Sequence, residues 1–154
     1  MSSVVQEIPL IIASIMLIIF PKEKPIMNIK IDKLNINNDI YEKGSINNNI
    51  DKNVIILDDS DYPDKKGGTV LIGAHSGFGK EAYFKNLDKL RIGDIIKLTY
   101  KNKLYKYKID NISKDNKDGK IRLEYKNNRN RLILYTCYPH DNNNYLLISS
   151  YLSN

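Results

Sequence analysis

Cysteine occurs once in this chain, at position 137, and histidine only twice, at 75 and 140. A lone thiol cannot close an internal disulfide. No cysteine and histidine cluster stands at zinc-ligand spacing, so neither covalent staples nor a structural metal hold the fold. Helical periodicity is equally scarce, and the chain contains no internal repeat. Lys plus Arg number 24 against 18 Asp plus Glu, a formal net charge of +6, but the lysines are scattered among asparagines and do not gather on one periodic face. No RNA-binding aromatic signature or recognition-helix pattern accompanies the charge, which argues against a nucleic-acid partner. A basic surface suits an anionic envelope or a membrane equally well. With 154 residues, 42% of them hydrophobic, the chain holds enough apolar material for one core and hardly for two.

Two apolar runs each end on a reactive side chain. Thr69-Val70-Leu71-Ile72-Gly73-Ala74-His75 closes on a histidine, and Leu132-Ile133-Leu134-Tyr135-Thr136-Cys137 closes on the cysteine. Both are rich in β-branched and aliphatic residues and both are followed by turn formers. Each therefore reads as a buried strand delivering one side chain at its end. A thiol nucleophile with a histidine partner is the chemical reading; the structural alternative is a small buried hydrophobe, a common use of free cysteine. His140, in the turn Tyr138-Pro139-His140-Asp141-Asn142, reads as a loop residue facing solvent.

Alternating segments such as Met27 to Asp32 and Leu104 to Ile109 place a polar residue at every second position, the pattern of half-buried strands. Turn formers punctuate them at Pro63 to Gly68, Gly93-Asp94, Asp118-Gly119 and Asn127 to Asn130. The best helical candidate is Lys80 to Leu90, where Phe84, Leu87 and Leu90 recur at spacings of three and read as core residues. Many short strands with little helix predict a closed or nearly closed β-barrel. Ahead of it, the uncharged run Ile8 to Phe20 resembles a membrane segment. Counted from Val4 it reaches 17 residues, near the lower limit of about 17 for a span. No lysine or arginine precedes it and two follow, so charge bias does not favour an orientation with the domain outside. A cleaved signal peptide and a buried core element are the alternatives. The expected division is residues 1–24 as membrane segment and linker, and 25–154 as the folded domain.

The order of these features is specific. A histidine ends one strand; Phe84-x-x-Leu87-x-x-Leu90-x-x-Gly93-Asp94 follows; then come a tyrosine-rich alternating strand and Thr136-Cys137. Over about residues 25 to 154 the chain resembles the sortases, cysteine transpeptidases whose signature before the nucleophile is Thr-Leu-x-Thr-Cys. Here the stretch reads Ile133-Leu134-Tyr135-Thr136-Cys137 and departs only at the first position. The resemblance implies an all-β, sortase-like barrel of about eight strands with one or two short helices. It also implies that Cys137 attacks the threonyl carbonyl of a carboxyl-terminal sorting signal and that the thioacyl group passes to an amine. His75 would protonate the departing amine and later accept a proton from the incoming one. Thr136 would shape the oxyanion site through its hydroxyl or backbone, and Ala74, Ser76 and Tyr145 would complete the substrate-binding set. No metal or other cofactor is implied.

Sortases typically carry an arginine at the start of the strand after the cysteine, facing the thiol and holding the substrate carbonyl. This chain has Asn144 and Tyr145 there. In an antiparallel hairpin either could face Cys137, with directly opposed Cβ atoms about 5 Å apart. Asn144 is the preferred substitute, because its amide can donate to a developing oxyanion. Arg131 shares the parity of Cys137, but six strand residues separate their backbones by about 20 Å. Arg129 is farther along the same path, and Arg122 lies in a segment the pattern does not place. Asp94 reads as a strand-start residue.

The resemblance further implies surface or pilin-like proteins as substrates, and a cell-wall amine or a second protein as acceptor. It implies membrane attachment through the amino-terminal segment and a catalytic domain on the cell-wall side of a Gram-positive bacterium. Two other readings stay open: a thiol peptidase or degenerate relative without efficient transfer, and a non-enzymatic basic β-barrel binding envelope polymers.

Overall fold

The computed structural model describes residues 22–120, 122 and 128–154. The expected membrane segment lies outside the described residues, apart from the linker positions 22–24. No described helix is long and apolar enough to cross a membrane.

Eight strands form one sheet that wraps into a nearly closed barrel: β1 (Met27–Ile31), β2 (Ile36–Ile40), β3 (Ile55–Ile56), β4 (Thr69–Gly73), β5 (Ile95–Tyr100), β6 (Lys103–Asn116), β7 (Arg131–Cys137) and β8 (Asn144–Leu152). Their order across the sheet is β2-β1-β5-β6-β8-β7-β4-β3. Every pairing is antiparallel except β4 with β7, which run parallel. That parallel pair ends both apolar runs of the sequence on the same rim.

Alternation explains which face each strand buries. In β1, Met27, Ile29 and Ile31 point inward; in β5, Ile96, Leu98 and Tyr100 do so. Leu132 and Leu134 of β7 and Ile148 of β8 meet them in one continuous core. β5 and β6 are joined by Lys101-Asn102, both at positive φ (48° and 60°), the two-residue hairpin geometry whose twist matches the flanking strands. Gly93 lies at φ 94°, where a side chain would be strained, and its N–H donates to the Ile109 carbonyl at 2.8 Å.

The predicted helix over Lys80–Leu90 is corrected to turns and a single 3-10 turn at Leu87–Lys89. The core assignment within it is right: Phe84, Leu87 and Leu90 are fully buried. A spacing of three is the period of a 3-10 turn as well as one edge of an α-helical face. Gly77 and Gly79 just upstream favour the irregular path.

One β-bulge interrupts the ladder of β6 with β8 at Asp110. A bulge re-aims its side chain, and Asp110 accepts a hydrogen bond from Arg131 Nη2 at 2.7 Å. The same nitrogen donates to Ser149 Oγ at 2.7 Å.

Candidate functional site

Parallel pairing of β4 with β7 aligns Gly73 with Tyr135. Two residues on come Cys137, the last residue of β7, and His75, just past the end of β4. Side chains two apart on a strand share a face, so Cys137 lies on the face of Ile133 and Tyr135, away from the Leu132 and Leu134 core. Two bonds lock the strand ends together. The Ala74 N–H donates to the Tyr135 carbonyl at 3.3 Å, and the buried Thr136 Oγ1 donates to the Ala74 carbonyl at 2.7 Å. Thr136 therefore spends its hydroxyl inside the fold, tying the cysteine strand to the histidine strand.

Cys137 is half-buried and opens, together with His75, onto a cavity of about 560 Å³. Of the predicted residues, Cys137, His75 and Ser76 line it; Thr136, Ala74, Asn144 and Tyr145 do not. The cavity wall also contains Lys117 and the fully exposed Phe78. His75 is held from outside: its Nε2 lies 3.0 Å from Asp51 Oδ1, while its carbonyl accepts the Phe84 N–H at 3.0 Å. Asp51 sits in a turn 24 residues upstream, on no periodic pattern that sequence reasoning can read. No hydrogen bond joins His75 to Cys137 among the described residues.

The loop after Cys137 sets which residue faces the thiol strand. Asp141 closes it, accepting the Asn143 N–H at 2.8 Å and the Asn144 amide, while the Tyr138 N–H donates to the Asn144 carbonyl at 2.9 Å. The resulting register puts Tyr145 opposite Cys137. Asn144 pairs with Asn116 of β6, faces the other side of the sheet, and has its amide engaged by Asp141. The Asn143 and Asn144 donors, and beyond them Lys114 and Lys117, hold the Asp141 carboxyl below the usual carboxylate range.

Tyr145 packs against Tyr135 with ring centroids 4.7 Å apart. Burial first, and then the hydrogen bond to Tyr145, push the Tyr135 phenol up from its ordinary value. Gly73 leaves room for this ring, since a Cβ there would stand 3.1 Å from Tyr135 Cδ1. Leu71, Ile133 and Leu147 form a second apolar cluster on the same face, with Leu57 and Tyr145 packed against it. An apolar floor thus runs along β4, β7 and β8 away from Cys137. At its far end, Arg131 is buried against Asp110 and Ser149.

The remaining candidates are engaged elsewhere. Arg122 pairs with Asp115 and Asp118, and the Arg129 guanidinium lies over the Tyr151 ring. His140 is exposed, with Nε2 2.9 Å from Asp88 Oδ2, and does not line the Cys137 cavity. Asp94 accepts Lys33 Nζ at 2.7 Å and the Arg91 N–H at 2.8 Å, a turn-closing role. Among the described residues no cluster of side chains could hold a metal ion.

A family model described as the sortase domain matches residues 29–150. Among solved structures, sortase C of Streptococcus pneumoniae superposes with a TM-score of 0.74 at 22% identity, covering 84% of this chain and 68% of that one. Sortase A of Corynebacterium diphtheriae gives 0.73 at 23% identity, covering 86% and 62%. Sortase C of Clostridium perfringens SM101 gives 0.69 at 26% identity, covering 82% and 68%. None of the curated proteins compared matches the chain.

Proposed function

The chain belongs to the sortase family, and from that premise we propose that it is a cysteine transpeptidase in which Cys137 and His75 carry the reaction. The observation that carries this reading is the shared cavity at the rim of the parallel β4 and β7 pair, onto which the chain's only thiol and the Asp51-held imidazole both open.

In the acylation step the Cys137 thiolate attacks the threonyl carbonyl carbon of a sorting signal; a C–S bond forms and the carbonyl π pair moves to oxygen. As that pair returns, the C–N bond breaks and His75 gives its proton to the departing amine. An incoming amine then attacks the thioester, passes its proton to His75, and releases the thiolate. Asp51 accepting from Nε2–H selects the tautomer that leaves Nδ1 for proton transfer and stabilises the imidazolium between the two half-reactions. The apolar floor of Leu71, Ile133 and Leu147 supports an extended peptide leading up to the thiol. The Thr136 hydroxyl holds the two strand ends together, and Ser76 lines the cavity beside His75.

The substrates are surface or pilin-like proteins with carboxyl-terminal sorting signals, and the acceptor is a cell-wall amine or a second protein. Attachment through the amino-terminal hydrophobic run would put the domain on the cell-wall side of a Gram-positive membrane. The test is mass spectrometry of the protein and its Cys137→Ala variant with a panel of sorting-signal peptides, with and without an amine acceptor. We expect an amine-extended product that the variant does not form. Cleavage without extension would leave a thiol peptidase, and intact peptides across the panel would leave a binding barrel.

A further inference from the structure

The thiol strand has its imidazole on one side only. β7 lies between β4, which leads to His75, and β8. With its leaving nitrogen toward His75, a carbonyl attacked at Cys137 can direct its oxygen to the β8 side, where the imidazole does not stand. Neither residue that opens β8 answers it: the Asn144 amide is engaged by Asp141, and Tyr145 packs on Tyr135 outside the cavity wall.

The next strand across does supply a group. Asp115 of β6 pairs with Tyr145 and Asn116 with Asn144, and the Lys117 N–H continues the ladder to the Asn143 carbonyl at 3.0 Å. By alternation Lys117 shares the face of Asp115, Tyr145 and Cys137. Its Nζ stands 5.5 Å from the Tyr145 ring centroid, and the residue lines the Cys137 cavity. Asp115 faces Cys137 across two strand spacings, about 10 Å, and Lys117 stands two residues, about 7 Å, further along, so about 12 Å of backbone separation remains for a lysine stem and a substrate carbonyl to fill between them. Lys85, the other cation of that wall, follows His75 on the segment leading away from β4.

We propose that the Lys117 ammonium is the oxyanion donor of this enzyme, reaching over the Tyr145 ring to the carbonyl oxygen of the acyl group at Cys137. This rests on the thiol chemistry proposed above. Lys117 donates a hydrogen bond and transfers no proton: it meets the negative charge when the carbonyl pair moves to oxygen and releases it when the C–N or C–S bond breaks. The Tyr145 face steadies the cation without neutralising it.

The test separates attack on a carbonyl from reactivity of the thiol, and needs no sorting peptide. Cys137 adduct formation is followed by mass with p-nitrophenyl acetate, which passes through an oxyanion, and with iodoacetamide, which does not. Lys117→Met should slow acetylation on the order of 10²-fold while leaving alkylation unchanged. Lys117→Arg should restore most of the loss, and Lys114→Met, which removes a cation beside Tyr138, should leave the ratio of the two rates as in the wild type. Equal slowing with both reagents would make Lys117 an activator of the thiol, and no change would remove it from the site; either overturns the proposal. Circular dichroism melts of each variant confirm the fold. Failure of the peptide panel alongside a positive ester result would count against the transpeptidase reading and not against Lys117.

Discussion

At the centre of the barrel the Tyr107 hydroxyl is buried without a hydrogen-bond partner among the described residues. Burial, with Tyr105 adding to it, pushes its pKa up from the ordinary tyrosine value. An orphaned buried hydroxyl costs about 1–3 kcal/mol, so Tyr107→Phe should stabilise the protein by about 1 kcal/mol. Urea unfolding would read this as a higher midpoint at unchanged slope; a lowered midpoint would mean the hydroxyl has a partner. Residue identity singles out Cys137 and His75, whose chemistry is rare in this composition and which the structure places on one cavity. It does not by itself say which residue stands opposite. Whether Asn144 or Tyr145 faces Cys137 depends on one residue of register, and the Asp141 turn decides it.

The segment from Ala74 to Leu90 shows the same division at the scale of an element. Its apolar spacing identified three core residues, yet the backbone is a chain of turns ending in one 3-10 turn. What holds it is side-chain burial, with the Phe84 N–H bond to the His75 carbonyl as a backbone tie. Phe84 is fully buried, and Phe84→Ala should destabilise by about 3–5 kcal/mol. Because that anchor lies beside His75, peptide turnover should fall more steeply with temperature in the variant than its melting curve alone accounts for. If the melt moves by less than about 1 kcal/mol, the segment is held by something else. The β4 and β7 pairing is likewise an element property: both runs were legible as strands, but their parallel adjacency was not, since sequence periodicity carries no partner information.

At the scale of the whole molecule, three of the described tyrosines have phenols held above their ordinary value. Burial and then Glu42 push the Tyr62 phenol up to about 12, and Tyr107 and Tyr135 are raised too. An unfolded chain gives up these protons near its ordinary value of about 10, whereas the folded chain keeps them. The unfolded state therefore binds fewer protons above that pH, and stability must fall as pH rises. The contribution is fully present below pH 10 and is lost, for Tyr62, between about 10 and 12. Thermal midpoints measured from pH 8 to 12 should decline above 10, and the decline should be shallower in the Tyr62→Phe, Tyr107→Phe, Tyr135→Phe triple variant. An unchanged slope would rule out these phenols as its cause.

Pattern alone determined the barrel class, the buried face of each alternating strand, the core triad Phe84, Leu87 and Leu90, and the two apolar strand runs that lead to Cys137 and His75. These follow from local alternation and from residue chemistry, which a sequence carries directly. Only the tertiary structure decided that β4 lies parallel to β7, that Asp51 lies against the imidazole, that Thr136 closes inward on Ala74, and that Lys117, just past the end of β6, lines the thiol cavity. Each of those contacts joins segments at least 20 residues apart. Their meeting is set by strand order and loop register, which depend on the free energy of the whole sheet and leave no local signal.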